Sequence, residues 1–196
     1  MTIDIEGTIG FHGHFCPGLA IGIRVAEMAL RELGERAPDE ELVAVAETRS
    51  CSVDAVQYLT GCTLGKGNLV LEDKGKNAFR FYRRSDGRAI RIHQRVDAFP
   101  MPESEEARIM LAWRSGTATP EEAGQASIYR QERLNRIMSI ELDRLLAVDE
   151  IAMQPPAFAR IFDSVDCEGC GEKTQENLLT LFEGKAYCAD CFARRL

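Results

Sequence analysis

Residues 167–191 read CEGCGEKTQENLLTLFEGKAYCADC and contain two Cys-x2-Cys pairs with seventeen residues between them. In this spacing each pair forms a tight turn, and the two turns present four thiolates in the tetrahedral arrangement that Zn2+ prefers. The sequence therefore predicts a structural C4 zinc site formed by Cys167, Cys170, Cys188 and Cys191. The intervening residues read as a short hairpin with little apolar core, so the folding energy of this module is expected to come largely from its metal.

The residues before this module, 1–160, have the pattern of an α+β core domain in which helices pack on a β-sheet. Leu19, Ile23 and Leu30 recur at helical spacing, and a capping-box sequence at 119–122 begins a long helix. The predicted helices are 19–33, 52–60, 103–114 and 119–147, and the predicted strands are 42–48, 78–83 and 89–95. Residues 1–10 are predicted to be an irregular segment. The module at 161–196 is then a second, small domain.

The composition is that of a globular protein, because 45% of the 196 residues are hydrophobic and 28% are charged. No apolar run approaches the roughly 18 residues of a membrane-spanning helix, and the N-terminus lacks a signal-peptide pattern, which predicts a cytoplasmic protein without a membrane partner. A net charge of −7 disfavours nucleic acid as a partner. Seven cysteines, an odd number without a signal pattern, indicate metal binding rather than a disulfide framework.

A second group of metal-ligand side chains lies near the N-terminus, where residues 11–18 read FHGHFCPG. Imidazole and thiolate are common transition-metal ligands, and alternate residues of an extended segment point the same way, so His12, His14 and Cys16 are predicted to share one face. The start of the following helix favours a thiolate or an anion. The alternative, in which the histidines are loop residues and Cys16 is a buried apolar side chain, stays open at this point.

A third segment, residues 51–69, reads CSVDAVQYLTGCTLGKGNL. Cys51 begins a predicted helix, which is expected to lower the pKa of its thiol, and Asp54 follows one turn later as a candidate general base. Lys66 lies between two glycines in a loop that can hold an anion through its backbone, although the spacing of a phosphate-binding P-loop is absent. A solvated lysine in a flexible turn is the alternative interpretation of Lys66. Cys62 has no firm role.

The two N-terminal segments together with the C-terminal cysteines resemble the FmdE-like family of formylmethanofuran dehydrogenase proteins. The resemblance rests on 11–18, on 51–69 and on 167–191, in that order. It implies an α+β core, a homodimer and a treble-clef zinc finger, together with a cleft that holds a second transition metal. Carried onto this chain, the implied metal ligands are His14, Cys16 and Cys51. The implied cofactor-binding residues also include His12, Cys62 and Lys66, and Cys51 and Asp54 are the catalytic candidates.

The family name implies a component of, or an accessory to, the molybdenum- or tungsten-dependent oxidoreductase of methanogenesis. This chain contains no Cys-x2-Cys-x2-Cys-x3-Cys run for an iron–sulfur cluster and is too short to include a molybdopterin-binding catalytic chain as well. The sequence therefore favours a metal-binding accessory protein whose finger docks a partner. A metal-dependent enzyme that uses the His/Cys cleft is the alternative. A zinc-finger regulator is disfavoured by the acidic residues of the finger.

Overall fold

The computed structural model describes residues 2–34, 39 and 41–195. The chain divides into two compact units, Met1–Phe158 and Ala159–Leu196. The elements of the first unit are, in order, α1 (Ile5–His12), α2 (Pro17–Leu33), β1 (Leu42–Ala46), α3 (Ser52–Thr60), β2 (Leu69–Leu71), β3 (Ala78–Arg83), β4 (Arg88–Gln94), α4 (Ser104–Arg114), α5 (Pro120–Ser139), α6 (Leu142–Leu145) and β5 (Leu146–Glu150). The predicted α+β class is confirmed.

The five strands form one mixed sheet in the order β2-β1-β3-β4-β5. β1 and β2 are parallel, and the other neighbours are antiparallel. Phe79 lies opposite Ile92 and Phe81 opposite Ile90, and these side chains belong to the same buried cluster as the inner face of α2. The alternation of apolar residues along β3 and β4 follows from the period of two in a strand. The main core therefore lies between α2 and one face of the sheet.

Two predicted boundaries are wrong. Residues 1–10 are not irregular, because α1 begins at Ile5 and is capped by Asp4, whose carboxylate accepts a hydrogen bond from the Gly7 N–H. The helix that begins at the Thr119 capping box ends at Ser139, not at 147, and Ile140 is extended. The apolar residues that follow form the short α6 and then β5, which pairs with β4.

Glu47 follows β1 and is almost fully buried, with 4% of its side chain exposed. Arg91 donates two hydrogen bonds to its carboxylate, from Nε at 3.0 Å and from Nη2 at 2.9 Å. These bonds hold the pKa of Glu47 below its ordinary value, although burial acts in the opposite direction. A carboxylate with a depressed pKa stabilises the fold at neutral pH, and this contribution is lost as the pH falls through the folded-state pKa.

We expect Glu47→Gln to lower the free energy of unfolding by about 2 kcal/mol at neutral pH, less than the roughly 3–5 kcal/mol for a fully buried pair because Arg91 keeps some solvent contact. The deficit should shrink as the pH falls below about 5, since only the native residue titrates. Urea unfolding across this pH range measures both effects. Glu72→Gln, which alters a half-exposed ion pair with Arg80, is the control and should change stability by less than about 1 kcal/mol. A loss of stability in Glu47→Gln that does not change with pH would contradict the proposed contribution of the ionised carboxylate.

The second unit contains two small hairpins and a terminal helix. β6 (Ser164–Asp166) pairs with β7 (Lys173–Gln175), and β8 (Thr180–Phe182) pairs with β9 (Lys185–Tyr187), before α7 (Ala189–Ala193) ends the unit. Its buried cluster contains Cys167, Tyr187 and Cys191, with Cys188 and Phe192 packed against it. We call this unit the finger. The cysteine side chains are themselves the centre of its interior.

Candidate functional site

The four cysteines of the finger converge on one point. Cys167 and Cys170 lie on the turn after β6, Cys188 is the N-cap of α7, and Cys191 lies within α7. Their sulfur atoms all lie within 4.8 Å of one another, and the Cys170 and Cys188 sulfurs are 4.0 Å apart. Four thiolates at this separation are the donor set of a structural metal site. The structure thus brings together all four residues that the spacing singled out.

Backbone N–H groups surround the Cys167 sulfur. It accepts hydrogen bonds from Cys188 at 3.2 Å and from Gly169 at 3.4 Å. These bonds stabilise the thiolate and lower the pKa of Cys167 to about 6, with the Cys188 N–H the largest cause. Because the thiolate is the form that binds metal, the two turns prepare this ligand before a metal arrives.

A second group is formed by His12, His14 and Cys16, which we call the His/Cys cluster. One ligating atom of each residue lies within 4.8 Å of the others. Contrary to the prediction, the three residues do not form an extended segment. Instead, His12 is the last residue of α1, the left-handed Gly13 ends that helix, and Cys16 is the N-cap of α2. The convergence therefore results from a helix end and a helix start that meet.

Asp54 of α3 fixes the orientation of His12. Its Oδ2 atom lies 2.7 Å from His12 Nδ1, and only 10% of the His12 side chain is exposed. The Nε2 atom of His12 is buried without a hydrogen-bond partner among the described residues. A carboxylate on one imidazole nitrogen leaves the other as an acceptor, which is the common arrangement of a metal-bound histidine. Asp54 therefore holds His12 in the structure, and its role as a general base stays a prediction.

Cys51 lies beside Cys16 at the start of α3. The predicted lowering of its thiol pKa is wrong: burial, together with a hydrogen bond to Cys16, raises the pKa of Cys51. The position at the helix start therefore has less effect than the loss of solvent and the neighbouring thiol. Cys51 is not among the residues whose ligating atoms all lie within 4.8 Å, whereas His12 is.

The structure separates two other predicted residues from this cluster. Cys62 is fully buried in the main core, where its thiol donates to the Leu42 carbonyl oxygen at 3.3 Å. Lys66 is half-buried on the turn after α3, where its backbone N–H donates to Thr63 Oγ1. Its ammonium group has no ion-pair partner among the described residues. A groove of about 650 Å³ lies elsewhere, between 99–103 and α5, and shares no residue with the cluster.

A mixed sheet backed by a long helix, with a His/Cys cluster at the helix start and a four-cysteine finger, defines an α+β protein with two metal-ligand groups. Residues 11–147 match the family described as FmdE, molybdenum formylmethanofuran dehydrogenase operon. This match covers more than half of the chain, so the protein belongs to the FmdE family, as the two N-terminal motifs predicted.

The chain is also similar to two known proteins. A probable S-adenosyl-L-methionine-binding protein of Archaeoglobus fulgidus is 33% identical over 171 residues, which cover 83% of this chain but only 46% of that protein. The chain thus spans about half the length of this relative. The crystal structure of a tungsten formylmethanofuran dehydrogenase FmdE-like protein from Syntrophus aciditrophicus superposes with a TM-score of 0.64 at 24% identity, covering 97% of this chain and 90% of that one. At this identity the likeness concerns the fold.

Proposed function

We propose that this protein is a metal-binding accessory protein in which the finger holds zinc and the His/Cys cluster holds a second transition metal. The observation that carries the second site is the buried Nε2 of His12, which has no hydrogen-bond partner in the described part of the chain and lies in a group with His14 and Cys16. A buried acceptor without a partner costs free energy, and a metal ion would relieve that cost. Two imidazoles and a thiolate suit zinc and its neighbours in the first transition row.

Each residue of the His/Cys cluster has a different role in binding this ion. His12 binds in the orientation that Asp54 sets, Cys16 supplies negative charge from the start of α2, and His14 faces solvent. The metal itself supplies Lewis acidity when bound. A ligand set with one solvent-facing side is suited to taking up and releasing an ion, which is what a metal-handling protein requires.

The finger is proposed as the docking module. Leu178 and Leu181 are 62% and 78% exposed. Large apolar side chains exposed on a small unit are typical of a surface that a partner covers. The first unit also exposes Leu111 and Ile128 on its helices, and we propose that this chain forms a homodimer through them. The family is described by the operon of a dehydrogenase, and this description supports the proposal that the chain is part of a larger enzyme complex. No helix among the described residues could cross a membrane.

Elemental analysis of the purified full chain tests the two-site proposal. We expect two transition-metal ions per chain, one for each group of ligands, and a loss of one ion in Cys16→Ser. Cys62→Ser is the matched control, because it removes a buried thiol that lies outside both groups and should keep both ions. A single ion per chain in the wild-type protein, unchanged in Cys16→Ser, would contradict the second site.

A metal-dependent enzyme is the second candidate, and the number of ligands in the cluster, which is three, favours it. Catalytic zinc sites use three protein ligands and keep one position open to solvent or substrate. The name of the A. fulgidus relative makes S-adenosyl-L-methionine the first small molecule to examine with the metal-loaded protein. A closed four-ligand site, seen by X-ray absorption on the loaded protein, would exclude this candidate.

A further inference from the structure

Cys16 and Cys51 come from distant parts of the sequence and are nonetheless neighbours in the fold. Cys51 packs against the buried cluster that contains Cys16, and both residues are free thiols. The space beside Gly18 borders both sulfur atoms. A Cβ placed on Gly18 would lie 3.7 Å from the Cys51 sulfur, 3.8 Å from the Cys16 sulfur and 3.2 Å from the Cys51 Cβ. Both sulfurs thus border one small space, and a disulfide between them would require their Cβ atoms to lie about 4 Å apart.

Two packed helices hold these two thiols near each other. Cys16 is the N-cap of α2 and Cys51 the N-cap of α3, and these helices pack directly against each other. The two residues differ in access, since Cys16 is 7% exposed whereas Cys51 is partly open to solvent. Cys51 is therefore the thiol that a small oxidant can reach, although its raised pKa makes this first step slow, and Cys16 would be the thiol that completes the reaction.

We propose that Cys16 and Cys51 form a redox modification site, in which a peroxide converts the pair to a disulfide and so removes Cys16 from the metal ligands. Cys51 sulfur attacks the peroxide, which gives a sulfenic acid and one water. Cys16 sulfur then attacks the sulfenic sulfur and releases a second water. The two thiols lose two electrons and the peroxide gains them, and a dithiol reductant reverses the change.

The effect on the metal rests on the proposed function, whereas the disulfide itself does not. Once its sulfur is bonded to Cys51, Cys16 has no thiolate to offer, and the cluster keeps only His12 and His14. Two neutral imidazoles bind a divalent ion more weakly than the full set of three ligands. Oxidation would therefore release the ion, and reduction would restore the site.

The test treats the full-length protein with graded hydrogen peroxide, blocks remaining thiols with N-ethylmaleimide and maps the peptides by mass spectrometry. We expect a Cys16–Cys51 linked peptide that dithiothreitol removes, together with the release of one metal ion more than Cys51→Ser releases at the same dose. Serine is close to cysteine in size and Cys51 is partly open to solvent, so this variant should fold. Any loss from the finger is common to both proteins and cancels in the comparison. Cys62→Ser should behave like the wild type.

Two outcomes would overturn the proposal. One is the recovery of Cys16 and Cys51 without a linked peptide at doses that oxidise other thiols of the chain. The other is equal metal release from the wild type and from Cys51→Ser, which would remove the effect on the metal. If the wild-type cluster holds no metal, the proposed function fails, but the linked peptide still decides whether the redox site exists.

Discussion

Cys188→Ser is expected to release zinc from the finger and to unfold the chain from about residue 165 onward, while the first unit stays folded. Cys188 contributes twice to the finger, because its sulfur is one of the four ligands and its N–H donates to the Cys167 sulfur. Serine keeps the N–H but removes the thiolate, and a hydroxyl is a poor ligand for zinc. Apparent zinc-binding free energies of roughly 10–16 kcal/mol stabilise such modules, so the loss of one ligand exceeds what the finger can tolerate.

Nothing else in the finger can replace the zinc-binding free energy, because the interior of the finger is small. Its buried cluster contains two cysteines and Tyr187, while Leu181 stays largely exposed. A unit of this size rarely buries enough apolar surface to fold without a metal or disulfides. Zinc content and limited proteolysis measure the outcome, and Leu181→Ser is a control in the same unit that should keep the zinc. Unchanged zinc content and protease resistance in Cys188→Ser would contradict the assignment.

Local patterns predicted much of this fold. The cysteine spacing identified the finger, because four ligands to one ion constrain the chain more tightly than any apolar pattern. The Thr119 capping box was also predictable, and in the structure Thr119 and Glu122 exchange both of its hydrogen bonds. In each case the side chains that determine the structure lie within a few residues of one another. The local sequence is therefore enough to predict both features.

The boundaries that were wrong depend on distant contacts. Residues 140–147 continue the apolar spacing of α5, but β4 offers a free edge to which 146–150 can pair, and this pairing overrides the helical pattern. The two glycines of α1 suggest a loop, yet the helix is held by Asp4, which bonds the Gly7 N–H and the Tyr58 hydroxyl. The β4–β5 pairing and the Tyr58 contact cannot be found from a local window of sequence, whereas the Asp4 cap, three residues before Gly7, is a local signal that was missed.

The candidate site also combines features that the local sequence predicts with features that depend on distant contacts. His12, His14 and Cys16 are neighbours in sequence, so their grouping could be predicted even though the extended geometry was wrong. The importance of His12 could not, because it depends on Asp54 in α3. The pKa of Cys51 was misjudged for a similar reason: helix position is visible in the sequence, whereas burial and contact with Cys16 are not. The assembled fold is needed to rank these residues.

The close approach of α2 and α3 gives Gly22→Ala a large expected effect on the stability of the first unit. A Cβ on Gly22 would lie 2.4 Å from the carbonyl oxygen of Ser52 and 2.5 Å from its Cα. These atoms are backbone, so no side-chain rotation can relieve the overlap, and the two helices must move apart. We expect the free energy of unfolding to fall by roughly 3 kcal/mol or more, at the upper end of the usual cost of overpacking.

Gly124→Ala in α5 is the matched control, because a Cβ there meets nothing within 4 Å. Alanine is the better helix former, so this variant should be more stable by about 0.5–1 kcal/mol, and urea unfolding of both proteins measures the difference. Ser52 follows Cys51 directly, so the displacement in Gly22→Ala should also separate the Cys51 and Cys16 thiols and slow their peroxide-driven disulfide formation. Equal stability of the two alanine variants would mean that the helices do not depend on this contact, and that the start of α3 is placed by other interactions.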